Sequence, residues 1–296
     1  MKKLMAIILA LAMVLALAAC GNDDNSGGGK DTPPVIPNLP AIEENPVSDF
    51  EYRAIAGGIE ITQYIGTRVR VGIPEAIEGV PVISIGDRAF FQTGIMEVHV
   101  PSGVTNIGRS AFSGNEALTN ITMANNTINA GSLIHFGGVF WRVLEVQDGR
   151  ALIITEDVTE RKPYHADGGE ITWEHSTVRQ YLNGEFYNSF SSSEQGRIVE
   201  TTIINSNNPT HGTAGGNNTT DNIFLLSIDE AQTYFTDNAS RIAINANGEA
   251  IWWWLRSPST DGDCAAFVSE DGIVRVSGYD VSDNDGGVRP ALWLNL

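Results

Sequence analysis

A repeat with a period in the low twenties constrains the fold of this chain more than any other sequence feature. The phrase Ile-Gly-x-x-Ala-Phe at 85–90 returns at 107–112, which is 22 residues later. The apolar positions of 95–100 return at 118–123, which is 23 residues later. A period of this length, with Ile, Leu or Val at every second or third position, predicts a solenoid whose neighbouring repeats bury a continuous core.

The residues of this repeat also resemble a known family. Its two Ile-Gly-x-x-Ala-Phe phrases, with Val-Pro-Ser-Gly-Val-Thr at 100–105, are similar to the BspA-like class of leucine-rich repeat. The resemblance covers 69–123, as two repeats and a divergent leader, and implies a mainly β module with Phe90 and Phe112 in its core. Because a stable solenoid usually needs three or more repeats, we expect a hairpin at 50–62 and the following domain to cap it.

Residues 251–296 form a tail in which polar loops separate aromatic and apolar runs. Four of the six tryptophans of the chain lie in this tail. Asp271-Gly272 stands between two apolar runs and predicts a tight hairpin, because this pair tolerates a positive φ. The polar loops at 259–263 and 278–287 would then be held by a rigid scaffold, which is where binding residues are disproportionately found.

Two phrases of the tail resemble a known C-terminal domain. Trp-Trp-Leu-Arg-Ser-Pro at 253–258 and Gly-Gly-Val-Arg-Pro-Ala-Leu-Trp-Leu-Asn-Leu at 286–296 are similar to a domain of unknown function on many Gram-positive surface lipoproteins. That domain is similar to the C-type-lectin-like fold, whose relatives include formylglycine-generating enzymes and ligand-binding proteins diversified by retroelements. The resemblance implies a mixed fold class, with the leucine-rich repeat module at 47–126 followed by an α+β C-type-lectin-like domain at 127–296.

Local patterns in this second domain predict short helices and strands. Hydrophobic periodicity and capping boxes indicate the helices, and Asp148-Gly149 indicates a hairpin between the first two strands. We expect the beginning and the end of the domain to meet in one sheet, and the polar segment 203–222 to be a loop. The predicted strands are 134–144 and 151–155, and the predicted helices are 178–190, 191–198 and 228–235.

The N-terminus has the pattern of a lipoprotein signal. Lys2 and Lys3 precede a short apolar run, and Leu-Ala-Ala-Cys at 17–20 resembles a bacterial lipobox. The resemblance implies a signal peptide at 1–19 and a diacylglyceryl group on Cys20, while an ordinary secretory signal with a chance cysteine is the alternative. Residues 20–46 are rich in Gly, Asp, Asn and Pro, which predicts a flexible tether between membrane and folded part.

The charge of the chain excludes one class of partner. The formal net charge is -18, and loss of Lys2 and Lys3 with the signal peptide makes it -20. Such a chain repels phosphate backbones, so we expect no nucleic-acid partner. The expected partners are the membrane, through the lipid on Cys20, and an extracellular protein or glycan.

The resemblance to retroelement-diversified relatives also implies where a ligand is contacted. Those relatives concentrate their ligand contacts on Tyr, Asn, Asp and Ser in the final loops. The Gly-Asn-Thr loop at 212–222 is the next candidate if these residues fail. The candidate residues are Thr260, Asp261, Asp263, Tyr279, Asp280, Ser282, Asp283 and Asn284.

A calcium site in the last loop is a separate hypothesis. Asp280, Asp283 and Asp285 offer the hard oxygen ligands that calcium prefers. An EF-hand frame beginning at Val281 lacks the first aspartate and puts Leu292 where the bidentate glutamate belongs, so that frame fails. A different calcium geometry and a solvated turn remain as alternatives, and we expect no other cofactor.

The sequence contains no recognisable catalytic constellation. GxSxG, P-loop and HExxH motifs are absent from the sequence. His165 and His175 flank several acidic residues but lack ligand spacing, so we expect them to be exposed loop residues. Formylglycine-generating enzymes bind copper through a pair of cysteines, whereas Cys264 is alone in the mature chain and is expected to be a small buried hydrophobe.

These observations favour a non-catalytic function at the cell surface. The first hypothesis is a lipid-anchored binding protein, an adhesin or ligand receptor, on the outer side of a Gram-positive cell membrane. The alternatives are an enzyme on a formylglycine-generating-enzyme-like fold and an envelope spacer without a specific ligand. We expect Arg256 and Arg289 to have structural roles, each stacked on tryptophan and paired with a carboxylate.

Overall fold

The computed structural model describes residues 42–124 and 128–296. The predicted signal peptide, Cys20 and the tether up to residue 41 lie outside the described residues. No helix within the described ranges is long and apolar enough to cross a membrane. Residues 41–296 form one compact unit, and the predicted division at residue 126 stays a prediction.

The N-terminal part consists of eight strands and one 3-10 turn, Val47–Asp49. The strands are β1 (Phe50–Ile55), β2 (Gly58–Tyr64), β3 (Arg70–Gly72), β4 (Ala76–Ile77), β5 (Val80–Ile85), β6 (Glu97–Val100), β7 (Asn106–Ile107) and β8 (Asn120–Met123). They form two sheets: one has the order β1-β2-β5-β4, with β7 also paired to β5, and the other is the parallel sheet β3-β6-β8.

Stacking of successive coils confirms the repeat. Ile85 pairs with Ile107 in the parallel ladder of β5 and β7. The amide of Phe90 donates to the carbonyl of Ala111 at 2.7 Å, and the rings of Phe90 and Phe112 lie 5.1 Å apart between centroids. Both phenylalanines are fully buried, as predicted, because each aromatic side chain covers the one in the next coil.

The ends of the repeat module are covered by other elements. The hairpin of β1 and β2 turns at Gly57, whose φ of 91° favours glycine, and β2 pairs in parallel with β5. The hairpin thus lies against the first coil, and its role as the N-terminal cap stays a prediction. At the other end Leu133, which belongs to the next part of the chain, is 4% exposed within the repeat core.

The C-terminal part contains two five-stranded sheets and two small ladders. The strands are β9 (Leu133–Phe136), β10 (Val139–Gln147), β11 (Arg150–Thr155), β12 (Glu160–Arg161), β13 (Ile198–Val199), β14 (Thr201–Ile203), β15 (Thr219–Asp221), β16 (Ala243–Ile244), β17 (Ala250–Ile251), β18 (Trp253–Pro258), β19 (Cys264–Val268), β20 (Val274–Asp280), β21 (Gly287–Val288) and β22 (Ala291–Asn295). The first sheet has the order β13-β22-β11-β10-β9, and the second has the order β12-β21-β18-β19-β20.

The predicted hairpins and the meeting of the two chain ends are confirmed. β10 and β11 turn at Asp148-Gly149, both with positive φ, and β19 and β20 turn through Gly272. The last strand, β22, pairs with β11, so both ends of the domain lie in one sheet. The predicted strand 134–144 is instead two strands, because Gly137 and Gly138 adopt φ of 60° and 75° and turn the chain.

The helices predicted at 178–190 and 228–235 are confirmed nearly at their predicted bounds, whereas the one predicted at 191–198 is shorter. In addition to the 3-10 turn Trp173–His175, they are α1 (Thr177–Tyr181) with a π-helical continuation Leu182–Phe186, α2 (Ser192–Gln195), α3 (Ile228–Tyr234) and α4 (Asn238–Arg241). The predicted extension of α2 to Ile198 is wrong, because Ile198 pairs with Leu294 in β22. The predicted loop 203–222 is also interrupted, since β15 pairs with β14.

Candidate functional site

The two polar loops of the tail lie side by side at one end of the strands of the second sheet. Cys264 pairs with Asp280 where β19 and β20 meet, so one loop ends where the other begins. The amide of Val281 donates to the carbonyl of Asp263 at 3.0 Å. We call residues 259–263 and 279–286 the loop edge. It contains all eight predicted contact residues: Thr260, Asp261, Asp263, Tyr279, Asp280, Ser282, Asp283 and Asn284.

The first loop has a fixed backbone. The hydroxyl of Thr260 donates to the carbonyl of Ser277 at 3.3 Å, and the carbonyl of Thr260 accepts from Thr213 Oγ1 at 2.9 Å. The loop is therefore tied both to β20 and to the neighbouring segment that contains Thr213. The carboxylates of Asp261 and Asp263 are exposed, so this loop presents negative charge from a rigid support.

The second loop is organised by its own aspartates. Asp280 Oδ1 accepts from the amide and the hydroxyl of Ser282, at 2.8 and 2.6 Å. Those two hydrogen bonds stabilise the carboxylate and lower the pKa of Asp280. Asp283 Oδ1 accepts from the amide of Asp285 at 2.7 Å. These local turns hold the loop in one conformation, because each carboxylate replaces a backbone acceptor.

The carboxylates proposed as calcium ligands are not gathered in a cluster. Within residues 42–124 and 128–296, no three or more His, Cys, Asp or Glu side chains are arranged to hold a metal ion. Asp280 and Asp283 bind their own turns, and Asp285 lies 3.3 Å from Arg161 Nη1. The structure thus gives the calcium hypothesis no preformed site, and calcium binding stays a prediction.

Close packing against tryptophan fixes the end of the second loop. A Cβ atom on Gly286 would lie 2.0 Å from Trp254 Nε1, so no larger residue fits without movement. The same indole nitrogen donates to the carbonyl of Lys162 at 2.9 Å. The loop therefore returns to the sheet over a buried aromatic support.

An aromatic cluster beside the loop edge was not predicted from the sequence. Ring centroids of Trp252, Phe267 and Tyr279 lie 5.2–5.9 Å apart in every pairing. Tyr279 is 48% exposed, and Trp252 and Phe267 are partly exposed. We call these three residues the aromatic patch. The three aromatic residues are visible in the sequence, but their contact is not, because they lie on separate segments of the chain.

Comparison with known families identifies the two parts of the chain. A model of the Domain of unknown function (DUF6273) matches residues 148–296, about half of the chain. The chain belongs to the DUF6273 family. A model of the BspA type leucine rich repeat region, in six copies, matches residues 77–136 and confirms the N-terminal module as BspA-type repeats. A search of curated proteins found no match to this chain.

Three solved leucine-rich repeat proteins resemble part of the chain. A T. pallidum leucine rich repeat protein is 35% identical over 27% of this chain and 39% of its own, with a TM-score of 0.27. A Bacteroides capillosus protein is 29% identical over 29% of this chain and 68% of its own, with a TM-score of 0.26. A leucine rich cell surface protein from Faecalibacterium prausnitzii is 27% identical over 30% of this chain and 25% of its own, with a TM-score of 0.25. This chain thus spans 39% of the first of these relatives.

Each of the two tail arginines of the DUF6273 domain makes one of the two contacts predicted for it. Arg289 is stacked 5.0 Å from the Trp253 ring, but its hydrogen bonds go to backbone carbonyls, including that of Thr155 at 2.9 Å. Burial lowers the pKa of Arg289 to about 10. Arg256 pairs with Glu230 as expected, yet it lies over Phe224 and not over a tryptophan. Both arginines are buried away from solvent.

Cys264 and the histidines differ in part from expectation. Cys264 is partly exposed and not buried, because it lies at the strand end beside the loop edge. Burial, and then the carboxylate of Asp263, raise the pKa of its thiol, which disfavours the reactive thiolate. His175 is exposed as predicted, whereas His165 is half-buried, and its Nδ1 atom is buried with no hydrogen-bond partner among the described residues.

A buried ion pair joins the repeat module to the DUF6273 domain. Glu156 pairs with Arg142, and its carboxylate also accepts from the amide of Ser110 in the repeats at 2.8 Å. Burial opposes the charge of Glu156, but Arg142 and these hydrogen bonds lower its pKa. Asp157 accepts from the hydroxyls of Ser110 and Ser113, while burial and Glu156 raise the pKa of Asp157. Sequence reasoning missed this junction because its members lie up to 47 positions apart.

Proposed function

We propose that this chain is a lipid-anchored extracytoplasmic binding protein, an adhesin or ligand receptor, that contacts an extracellular protein or glycan through the loop edge. One observation carries the proposal. Tyr279 is 48% exposed, and hydrogen bonds hold the backbones of the two loops beside it. A rigid tyrosine offers contact area at low entropic cost. Short polar side chains around it add adaptable hydrogen bonding.

Anchoring at the membrane is the second part of the proposal. Its support is the order of features at the N-terminus: Lys2 and Lys3, an apolar run, small residues and then Cys20. Two or three acyl chains on one cysteine anchor a protein stably, where a single chain does not. The BspA-type repeats are consistent with this location, since proteins with such repeats are often surface-associated.

A C-type-lectin-like architecture of the DUF6273 domain is the third part. It is supported by the meeting of the domain's first and last strands in one sheet and by the position of the polar loops near the chain end. In such a scaffold the loops can vary while the core is kept, because loops run over the surface and pack little. Ligand contacts would then concentrate in the loop edge.

A binding screen with a loop variant tests this function. The soluble chain 21–296, which retains the whole compact unit from residue 41, is applied to arrays of extracellular proteins and glycans, in calcium and in EDTA. We expect Tyr279→Ala, Asp280→Asn, Asp283→Asn and Asn284→Ala together to abolish binding. Asparagine is used because it keeps the acceptor oxygen of each turn, so stability should change by only about 0.5 kcal/mol per site.

The matched control carries Tyr52→Ala and Glu116→Gln. Tyr52 is 37% exposed and Glu116 is exposed, and both belong to the repeat module. This control should bind as the parent does. Equal binding by the parent and the loop variant would show that the ligand is contacted elsewhere, and 212–222 would then be tested.

A further inference from the structure

Strand β8 ends the repeat module with an edge that no described strand covers. In the parallel sheet β3-β6-β8 it pairs only with β6. The opposite edge of this sheet, on β3, is covered, because Glu44 forms a parallel bridge with Gly72 and the amide of Asn45 donates to the carbonyl of Gly72 at 2.7 Å. The sheet therefore holds a short extended segment at one edge and has an open position at the other.

The free hydrogen-bonding groups of this edge belong to Ile121 and Met123. The amide of Ala124 donates to the carbonyl of Val100 at 2.9 Å, which fixes the alternation along β8. Counted back from Ala124, every second residue faces β6, so the N–H and C=O groups of Ile121 and Met123 face away from it. Within the described residues no backbone group bonds to them.

The neighbouring strand β9 has a second free edge. It pairs only with β10, and the amide of Val143 donates to the carbonyl of Ser132 at 2.9 Å. Because hydrogen-bonded pairs alternate with non-hydrogen-bonded pairs in an antiparallel ladder, Leu133 and His135 direct their N–H and C=O groups away from β10. Residues of both strands line one cavity of about 520 Å³.

This cavity is uncharged along its described lining. Residues 119–123, 128 and 132–135 line it, and none of them is Asp, Glu, Lys or Arg. Burial lowers the pKa of His135, so its imidazole is neutral near pH 7. Natural proteins protect free strand edges with lysine, proline or a bulge, and β8 has none of these.

We infer that β8 binds an extended, uncharged segment of another protein as an added strand, with side chains of that segment in the cavity. The outward N–H and C=O groups of Ile121 and Met123 bond its backbone, as in other cases of strand addition. Its side chains are of the Val, Ile and Thr type, because these favour a strand. A charged side chain would lose hydration in the cavity without gaining a partner.

The occupants that this chain could itself supply are disfavoured. Residues 33–42 include several apolar side chains, but prolines stand at 33, 34, 37 and 40 and lack the N–H group that a ladder needs. A second copy carries the same net charge of -18 and is repelled at long range. The site lies outside the loop edge and does not depend on a ligand there.

Binding of capped eight-residue peptides to the soluble chain 21–296 tests the inference. One set of peptides combines Val, Ile, Thr and Ser, and a second set carries two Lys or two Glu residues in the same sequences. We expect binders in the uncharged set and weaker binding by their charged counterparts. Each N-methyl group that removes a bonded N–H of the tightest binder should raise Kd about 2- to 10-fold.

Variants of β8 locate the site. Ile121→Pro removes one outward N–H and leaves the amides that face β6, so the sheet should stay folded and Kd should rise about 2- to 10-fold. Thr122 is exposed and lines the cavity, and Thr122→Lys should also raise Kd because it brings a charge to the edge. The matched control is Thr67→Lys, at an exposed threonine of the repeat module outside the cavity, and should have no effect.

Each outcome decides for or against the added strand. Binding that is weakened by N-methylation and by both β8 variants, but not by Thr67→Lys, supports it. If urea unfolding shows that Ile121→Pro does not fold, Thr122→Lys alone decides. The inference is overturned if no uncharged peptide binds, if the charged set binds as tightly, or if Thr122→Lys binds as the parent does. Self-association of the chain that Thr122→Lys abolishes, without peptide binding, would instead identify a second copy as the occupant.

Discussion

Glu156→Gln tests how firmly the repeat module and the DUF6273 domain are joined. The Glu156 side chain is 4% exposed and that of Arg142, its partner, is 13% exposed. The substitution keeps the shape and removes the charge, so the guanidinium stays buried beside a neutral amide. Breaking a buried ion pair by removing one partner costs about 3–5 kcal/mol, because the remaining charge is uncompensated.

The surroundings of Arg142 put the expected value at the lower end of this range. Its guanidinium keeps hydrogen bonds to the carbonyls of Ile107 and Gly108, at 2.8 and 3.2 Å. The glutamine oxygen can still accept from the amide of Ser110. We therefore expect Glu156→Gln to lower the free energy of unfolding by about 3 kcal/mol.

An exposed ion pair in the same chain provides the matched control. Arg109 Nη2 lies 2.7 Å from Asp87 Oδ2, with side chains 37% and 51% exposed. Solvent screens this pair, so Asp87→Asn should cost about 0–1 kcal/mol. The difference between the two variants isolates the effect of burial, since both replace one carboxylate by its amide.

Urea unfolding followed by two probes measures these costs. All six tryptophans lie between 141 and 293, so fluorescence reports the C-terminal part, while far-UV circular dichroism reports both parts. Agreement of the two transitions in the parent would show that both parts unfold together. A cost for Glu156→Gln no larger than that for Asp87→Asn would refute the reasoning, because the junction would then contribute no more than a screened surface pair.

Two further predictions concern pH and anchoring. The raised pKa of Asp157 means that the folded protein binds this proton more tightly than the unfolded chain, so its contribution to stability falls as pH rises from the ordinary value of 3.8 through the raised pKa. Asp157→Asn should remove that slope from urea titrations performed across pH, and an unchanged slope would contradict the assignment. Cys20→Ser should release the protein from membranes or leave it unprocessed, and fatty-acid labelling that persists in this variant would rule out the lipobox.

The repeat module was predictable because its information is periodic and local. The 22-residue offset places Ile85 beside Ile107, and the structure pairs these two residues. Hairpins at Asp148-Gly149 and Gly272 followed from residues that tolerate positive φ. The helix that begins after Ser227 followed from its capping box with Glu230, which the structure contains.

The end of helix α2 and the aromatic patch could not be predicted from periodic or local sequence signals. The pattern after Ser191 favours a helix as far as Ile198, but Ile198 pairs with Leu294 in β22, and the helix therefore ends earlier. The patch depends on which strand faces are covered, and the cover over Trp254 comes from Tyr164, ninety positions earlier. Both features are decided by contacts between distant segments, against which local preference is weak.

Sequence alone determined that this chain has repeats that must stack, a tail whose loops are polar, and a strongly acidic composition. Only the tertiary structure decided that the two tail loops share one edge, that Trp252 and Phe267 stay partly uncovered beside Tyr279, and that Glu156 joins the two parts of the chain. The physical reason is the range of the interactions. Turn and repeat signals act over a few residues or one period, whereas burial and charge pairing depend on which distant segments the folded chain brings together.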